Sequence, residues 1–504
     1  MKKSLKIFFL FLTIHTCAHF IYWKNYWKPE LFFWDENYHI ASAAKYLKGV
    51  FFMEPHPPLG KLLLAYSEHL VGVNNGVTFG YEKFDLIPHE FLNSSFSFAG
   101  YRFLPALFAV FNVMLFSAIA YLLTQSLFMT FCFASLPLLD TALLVHSRGA
   151  MLDSFLIFGH LLCILAFLFL LREEKESQEK RNYKIAFWSF VMSFAFVFAF
   201  MTKIFGLALV VLWPLLYFYK KDSRNLFLKI FPLNAIFIIA LSTSIWGIHF
   251  SLGKKIQPSL QHQGLYWASS QHEKWLLGFE KDSIWHLPQK IHEQLRYMFF
   301  YEQNVSAIDW DEKVITGSYA LTWPLGARPV PYRWQKRDSL HSYLYMIPNP
   351  WAWGAGLVGL IFALALFIRR SKKLLQQSKP FSPELFSMLV LYFTYWIPMI
   401  FIQRVLYLYH YLPILFCSWI LLICLVKMYD NILLSTQKIR LKYGLIAMLA
   451  LVFVGFQNYK LFVFYTPSDC KTFNDKHYFP FWGMKFQSCI NESKENKILR
   501  SANN

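Results

Sequence analysis

Apolar runs of about 18–22 residues recur along the whole of this chain of 504 residues. Each run is long enough to cross a hydrocarbon core of ~30 Å as a helix. Within a bilayer, only helices and closed barrels satisfy every backbone polar group internally. Charged residues make up 16% of the chain, against about 25% in a typical soluble domain. The sequence therefore predicts an all-α polytopic membrane protein.

We expect about eleven membrane-spanning helices. Residues Met1-Lys2-Lys3 and the apolar stretch through Tyr22 are similar to the start of a signal peptide. No small-residue cleavage site follows, so we interpret this stretch as an uncleaved first span. The other spans are predicted near residues 101–123, 125–145, 151–171, 185–202, 204–219, 229–248, 350–368, 384–402, 407–426 and 443–459.

The loops between these spans indicate an orientation with the N-terminus in the cytoplasm. Four loops then lie inside and are rich in Lys and Arg, as the positive-inside rule requires: REEKESQEKRNYK, KKDSRNLFLK, RRSKKLLQQSK and KMYDNILLSTQKIRLK. Three segments lie outside: a first external loop (24–100), a long external loop (249–349) and a C-terminal tail (461–504). Residues 1–460 would form the transmembrane domain.

The net charge of +19 would suggest nucleic-acid binding in a soluble protein. Here the basic residues are better explained as topology signals and as contacts for anionic lipid or phosphate. We find no nucleic-acid-binding module, Walker loop or zinc-type cysteine spacing, so no nucleic-acid partner is expected. Cys470 and Cys489 lie in the predicted tail and could form a disulfide if the tail is extracytoplasmic; the sequence leaves this open.

The stretch FFWDENYHIASAAKYLKGVFFMEPHPPLGKLLLAY, which begins at Phe32, follows the first span. It places Asp35, Glu36, His39 and His56 outside the membrane. Other polar residues fall on the same side: Arg148 and Asp153 in HSRGAMLDS, Lys203 in FMTKIFG, and Arg404 and His410 in FIQRVLYLYHYLP. Charges in or near hydrocarbon are costly, so each needs a partner or a function.

A carboxylate beside Arg and Lys residues is what a transfer from a lipid phosphate would require. The cations would hold the phosphate leaving group, and the carboxylate would act as general base. Structural explanations exist for each residue alone. They are a helix N-cap for Asp35 and Glu36, an Arg148–Asp153 ion pair, snorkelling of Lys203, a rigid turn at His56, and a satisfied structural role for His39 and His410.

Six blocks of this sequence resemble, in order, those of the protein O-mannosyltransferases. These enzymes belong to the GT-C glycosyltransferases, which use polyprenyl-phosphate sugars and have about eleven spans, with external loops forming the active site. The blocks are DENYHIASAAKYLKGVFFMEPHPPLGKLLLA, HSRGAMLDS, TKIFGL, SYALTWPLGARPVPY, IPNPWAWGAG and RVLYLYHYLP.

The resemblance implies an inverting transfer of mannose, or a related hexose, from a polyprenyl-phosphate donor to Ser or Thr hydroxyls of proteins. Asp35 would be the catalytic base or acceptor-orienting carboxylate, with Glu36 beside it as a second catalytic candidate. Three cations would contact the lipid phosphate: Arg148, Lys203 and Arg404. Substrate contacts or shaping of the site would come from His56, Asp153, His410 and Tyr411. No cofactor is implied; a divalent cation is allowed but not indicated.

The chain departs from the family pattern in several places. The family's Asp before His-Pro-Pro is replaced by Glu54-Pro55, and Gly149-Ala150 stand where larger apolar residues are usual. The long external loop is too short for the β-trefoil (MIR) insertion of eukaryotic members. The resemblance therefore implies the bacterial branch and a bacterial inner membrane. The oligomeric state stays open.

Three alternative functions stay open. The chain could be another GT-C enzyme acting on a lipid or glycan, similar to the aminoarabinose transferases. It could be a transporter of lipid-linked sugars, although the expected internal repeats and midplane polar groups are not found. It could also be a non-catalytic lipid-binding partner, which would tolerate loss of Asp35.

Overall fold

The computed structural model describes residues 3–172, 178–220, 224–308, 317–373, 382–486 and 488–490. Parts of the predicted cytoplasmic loops and the end of the predicted tail lie outside these residues. The helices are α1 (Lys3–Trp23), α2 (Glu36–Lys48), α3 (Leu59–Val71), α4 (Ala99–Thr124), α5 (Leu127–Leu138), α6 (Thr141–Ser147), α7 (Asp153–Leu171), α8 (Gln178–Phe200), α9 (Leu212–Tyr219), α10 (Arg224–Leu252), α11 (Ser270–Leu276), α12 (Leu287–Asn304), α13 (Pro350–Lys373), α14 (Pro383–Phe401), α15 (Leu412–Asp430), α16 (Ser435–Val463) and α17 (Cys470–Asn474). One hairpin pairs β1 (Val330–Arg337) with β2 (Leu340–Met346).

Within the described residues, nine helices are long and apolar enough to cross a membrane: α1, α4, α7, α8, α10, α13, α14, α15 with the turn before it, and α16. The pair α5 and α6 passes the same test together, with a bend of 58°. The apolar segment Ile204–Tyr219 is shorter. Each of the eleven predicted spans falls on one of these segments, which confirms the prediction of an all-α polytopic membrane protein.

The bend between α5 and α6 follows from local chemistry. Pro137 lies in the last turn of α5 and removes a backbone donor. Asp140 then caps α6, because its side chain accepts a hydrogen bond from the backbone N–H of Leu143. The carboxylate also accepts from the N–H of Asn349 at 3.1 Å, which ties this bend to the start of α13.

The predicted first external loop contains two short helices, α2 and α3, at one end of the bundle. Helix α2 ends at Gly49, whose φ of +72° is the left-handed conformation that glycine adopts without strain. Helix α3 begins after Pro58. The carbonyl of Gly49 accepts from the N–H groups of Lys254 and Lys255, just beyond the end of α10. The C-terminal end of α10 therefore lies on the same side of the bundle as α2. This side holds a cavity lined by Asp35 and His56, and it is called the cavity side.

The C-terminal tail packs against the β1–β2 hairpin. Backbone hydrogen bonds join His341 to Ser468. Cys470 and Cys489 form the disulfide that the sequence left open. A small apolar core joins the hairpin and the tail to the end of α16, and it is formed by Tyr343, Tyr345, Ile347, Tyr459, Phe462, Phe473, Trp482, Met484, Phe486 and Cys489. The disulfide thus closes a loop that holds this core together.

Candidate active site

A cavity of about 360 Å³ opens at one end of the bundle, where helix ends meet α2 and α12. It is bounded by α2, residues 52–56, the start of α7, and α12. Its volume lies in the range that small-molecule sites occupy, about 300–1,000 Å³. Six of the nine residues predicted from sequence line it together: Asp35, His56, Asp153, Lys203, Arg404 and His410.

Asp35 immediately precedes α2 but makes no capping hydrogen bond with its side chain. The residue before it, Trp34, has φ +51°, an uncommon conformation for a bulky residue. The Trp34 ring is held in place by stacking on Tyr332, with centroids 5.2 Å apart. The hydroxyl of Tyr409 donates to Asp35 Oδ2 at 3.2 Å.

The pKa of Asp35 is raised from its ordinary value, chiefly because burial removes water from the carboxylate. The positive charge of Lys203 and the hydrogen bond from Tyr409 oppose this shift. Asp35 therefore holds a proton more readily than an exposed aspartate does, which suits a general base.

The cations on the cavity wall are all paired in the structure. Four salt bridges form, Lys45–Asp85, Lys61–Glu54, Lys203–Asp153 and Arg404–Glu302. Asp35 also lines the cavity, and among the described lining residues it is the carboxylate without a salt bridge. A carboxylate that no cation holds is free to take a proton from a bound molecule.

The Lys203–Asp153 pair belongs to a buried network. Lys203 Nζ donates to both carboxylate oxygens of Asp153, at 2.9 and 2.8 Å. His146 Nε2 lies 2.7 Å from Asp153 Oδ2, and its Nδ1 lies 2.5 Å from the hydroxyl of Tyr332 on β1. The His146 ring stacks on Tyr409, with centroids 4.9 Å apart. The network therefore connects Lys203 to Tyr409, the residue whose hydroxyl donates a hydrogen bond to Asp35.

Arg404 lies in the break between α14 and α15. Its Nε donates to Glu302 Oε2 at 2.5 Å, and its Nη1 donates to the carbonyl of Val405 at 3.1 Å. Its side chain is 13% exposed, more than that of any other cation in these four pairs, and that of Glu302 is 38% exposed. Of the four salt bridges, this one is therefore the most accessible to an incoming anion.

Two histidines on the wall can offer neutral imidazole groups. Burial lowers the pKa of His39 and of His56 well below the usual range, and nearby Lys61 adds to the effect. His39 Nδ1 donates to the carbonyl of Ala150 at 2.8 Å, which leaves its Nε2 as an acceptor. His56 has no hydrogen-bond partner among the described residues. His410 Nδ1 lies 2.9 Å from the carbonyl of Tyr407.

Three predicted site residues, Glu36, Arg148 and Tyr411, do not line the cavity. Glu36 forms two hydrogen bonds with Arg102, each 2.7 Å long, and both side chains are completely buried. Backbone N–H groups of Ala150 and Phe33 also donate to Glu36. Both oxygens of this carboxylate are therefore engaged inside the protein.

Arg148 does not form an ion pair with Asp153, which was the structural explanation offered for these two residues. Instead it donates to the carbonyls of Val463, Lys24 and Asn25, at 2.9, 2.6 and 2.8 Å. It thereby holds the ends of α1 and α16 together. Tyr411 is buried, and its hydroxyl lies 3.1 Å from that of Tyr392 on α14.

Several residues of the site were not among the sequence candidates. Glu54 differs from the residue of the family pattern, and a charged residue directly after the apolar run Val50–Met53 is itself a signal. His146 lies in a quoted block but carried no expectation. Nothing near Glu302 or Tyr332 in the sequence indicates that they would meet Arg404 and His146.

The described residues contain one group of three potential metal ligands, His341, Cys470 and Cys489. None of the three lines the cavity, and the two cysteines are joined in the disulfide.

Two family models match this sequence. The model described as "Dolichyl-phosphate-mannose-protein mannosyltransferase" matches residues 11–254, and the "C-terminal four TMM region of protein-O-mannosyltransferase" matches residues 289–482. Together they take in most of the chain, including every residue predicted for the site.

Curated relatives match over shorter stretches. Protein O-mannosyl-transferase 2 of Drosophila pseudoobscura pseudoobscura is 33% identical over 26% of this chain and 17% of the relative. Protein O-mannosyl-transferase 1 of Homo sapiens is 30% identical over 30% of this chain and 19% of the relative. Dolichyl-phosphate-mannose–protein mannosyltransferase 4 of Candida albicans is 25% identical over 49% and 33%. The matched stretches thus span a third or less of these relatives' own lengths.

Solved structures share the fold over nearly the whole chain. A chain of the S. cerevisiae protein O-mannosyltransferase Pmt1-Pmt2 complex bound to the sugar donor matches with a TM-score of 0.76 at 14% identity, covering 96% of this chain and 93% of that one. The Archaeoglobus fulgidus oligosaccharyltransferase in the apo form matches with a TM-score of 0.51 at 10% identity, over 96% and 59%. At these identities the likeness concerns the fold alone.

Proposed function

This chain belongs to the protein O-mannosyltransferase family of GT-C type, and from that premise we propose that it transfers mannose from a polyprenyl phosphate to Ser and Thr hydroxyls of proteins. The observation that carries the proposal is the position of Asp35. It lies on the wall of a cavity whose cations are all paired, and its own carboxylate has no salt bridge. A base must be able to accept a proton, and Asp35 can.

The reaction is a single displacement. The acceptor hydroxyl oxygen attacks the anomeric carbon and loses its proton to the Asp35 carboxylate. The bond between the anomeric carbon and the phosphate oxygen breaks, and the polyprenyl phosphate leaves with the electron pair. One displacement inverts the configuration, so a β-linked donor gives an α-linked product. Because a hydroxyl is a weak acid, close positioning of the two substrates must supply much of the rate.

We assign the phosphate to the wall that carries Lys203 and Arg404. Lys203 gives two N–H bonds to Asp153 and has a third available. Arg404 is the more accessible of the two cations, with a side chain 13% exposed against 6% for Lys203, and its partner Glu302 is partly exposed. An arriving phosphate can replace Glu302 on the guanidinium through charge-assisted hydrogen bonds. The two cations would then stabilise the charge that develops on the leaving group.

The neutral histidines suit contacts with hydroxyl groups. His39 presents Nε2 as an acceptor, and its orientation is fixed by the carbonyl of Ala150. His56 presents an imidazole that no other described residue engages. We assign to both residues contacts with sugar hydroxyls or with the acceptor. We assign structural roles to Glu36, Arg148 and Tyr411, which lie outside the cavity wall.

We also propose that the N-terminus is cytoplasmic and that the cavity faces outward, in a bacterial inner membrane. Helix α15 starts beside the cavity, so its far end and the segment 431–434 lie on the opposite side. That segment joins the Lys- and Arg-rich start of α16, as expected for a cytoplasmic loop.

The proposal is tested by transfer in proteoliposomes that contain the purified protein. Radiolabelled polyprenyl-phosphate mannose and a Ser/Thr-rich peptide are supplied, and the expected result is labelled peptide. Parallel reactions use other polyprenyl-phosphate hexoses, and lipid in place of peptide. If only lipid becomes labelled, the acceptor is a lipid and not a protein. If the labelled donor crosses the bilayer and no sugar is transferred, the protein is a transporter.

A further inference from the structure

A group of large apolar side chains is exposed on the cavity side, in the segment between α11 and α12. We define the apolar loop as residues 277–285. Its large apolar residues are Leu277, Phe279, Ile284 and Trp285, with exposed fractions of 46%, 76%, 70% and 86%. Exposed apolar groups clustered in this way mark a surface that contacts something other than water.

The exposure does not come from a loosely held segment. Trp275, just before the apolar loop, stacks on His286, just after it, with ring centroids 3.8 Å apart and an angle of 4°. Lys290 on α12 donates to Asp282 within the loop at 2.5 Å. The two flanks are therefore fixed against each other, and the loop presents its apolar side chains outward.

The contacts of the flanking helices with the bundle indicate how deep the apolar loop lies relative to the membrane. Phe250 is two residues before the end of span α10, so it lies about 3 Å from that end along the helix axis. The Lys290 ammonium lies 5.9 Å from the centre of the Phe250 ring, and the His272 ring on α11 lies 6.0 Å from it. The two helices that flank the apolar loop thus pack on the last turn of α10. This helix has 29 residues and is about 43 Å long at 1.5 Å per residue, close to the thickness of a bilayer with its headgroups, so we expect its last turn to lie in the headgroup region.

The composition of the loop fits that depth. Trp is enriched at membrane–water interfaces, because its ring is apolar and its N–H can meet headgroups. The charges of the loop offset one another: Lys281 is accompanied by Glu280 and Asp282, and Lys274 pairs with Glu280 at 3.3 Å. Because no excess of positive charge is present, attraction to anionic lipid is not needed for this loop to bind a bilayer.

We propose that the apolar loop inserts into the headgroup region of the leaflet on the cavity side, so that its partner is the phospholipid itself. Helix α12 follows directly and brings Tyr297, Tyr301 and Glu302 to the cavity wall. Anchoring the loop therefore fixes the wall that holds Arg404. The consequence for a lipid-linked donor rests on the proposed function, whereas the insertion does not.

The test is a fluorescence measurement that does not depend on activity. Trp285→Cys, in a Cys17→Ser background, is labelled with an environment-sensitive dye and reconstituted in phosphatidylcholine vesicles. The matched control is Ser339→Cys, an exposed position in the turn at the far end of the β1–β2 hairpin. Phe279→Cys serves as a second reporter if the first variant does not fold.

Nitroxide placed near the carbonyl end of the lipid acyl chain should quench the dye at position 285 at least about twofold more than at position 339. Aqueous iodide should show the opposite order. Equal quenching by iodide at both positions, without quenching by lipid, would overturn the proposal. So would a blue-shifted dye shielded from both quenchers, because a protein surface or a second copy would then cover the loop. A requirement for anionic lipid would overturn the apolar basis of insertion.

Discussion

The carboxylates of Glu36 and Asp35 come from adjacent residues but lie in two different surroundings. Glu36 is sealed in a cluster with Arg102, where two backbone N–H groups complete its hydrogen bonds. Arg102 also donates to three backbone carbonyls, those of Trp27, Pro29 and Leu31. Asp35 faces the cavity, with one hydrogen bond from Tyr409 and no salt bridge. A carboxylate whose oxygens are all engaged in hydrogen bonds stabilises the fold. A carboxylate with an oxygen that accepts no hydrogen bond can take a proton from a substrate.

The strongest test of this comparison is the same chemical change at the two positions. Asp35→Asn is nearly isosteric but cannot accept a proton, so transfer should fall by about 10²–10⁴-fold. Thermal stability in detergent should stay close to that of the wild type. Transfer is measured with radiolabelled donor and peptide in proteoliposomes. Activity that survives the substitution would exclude Asp35 as the base while leaving the family assignment intact.

Glu36→Gln should act in the opposite way, on stability first. The substitution leaves the Arg102 charge buried without its counter-charge, and breaking a buried pair costs about 3–5 kcal/mol. We expect a lower yield of folded protein and a lower unfolding temperature. The unfolding temperature is measured by the loss of the monodisperse peak in size-exclusion chromatography after heating. If Glu36→Gln folds normally and abolishes transfer, Glu36 belongs to the reaction and the comparison fails.

Glu302→Gln examines the cation side of the cavity. If phosphate replaces Glu302 on Arg404, removing that carboxylate's charge should lower the donor KM by about two- to fivefold, with little change in kcat. The matched control is Glu90→Gln, an exposed carboxylate that does not line the cavity. A higher donor KM would instead mean that Glu302 orients Arg404 for binding.

The smallest effect at neutral pH is expected for Tyr409→Phe. The pKa of Asp35 is raised by burial and partly lowered again by the Tyr409 hydrogen bond. As the pH falls through this pKa, the base becomes protonated and transfer is lost, so the acid limb should lie above the ordinary aspartate value of about 3.9. Removing the hydroxyl should move that limb to higher pH. The measurement is the pH profile of kcat/KM for the wild type and the variant. An acid limb that moves to lower pH in the variant would contradict the assigned hydrogen bond.

Much of the fold was predictable from the sequence, because a bilayer permits few solutions. The length of the apolar runs requires helices. The positions of Lys and Arg predict how these helices are oriented across the membrane. The disulfide between Cys470 and Cys489 was less certain, since two cysteines in one tail do not show whether their backbones come close enough to pair. The 58° bend at Asp140 was not anticipated, because the apolar pattern runs through it.

The sequence by itself determined that this chain is a bundle of membrane-spanning helices, and it predicted that Asp35, Lys203, Arg404 and the histidines of the quoted blocks lie on one side of the membrane. Only the tertiary structure decided which of those charges meet. Glu36 pairs with Arg102, which lies 66 positions away, and Arg404 pairs with Glu302, 102 positions away. Local patterns carry no information about such distant partners. The cost of burying a charge ensures that a partner exists, but packing of the whole chain selects which one.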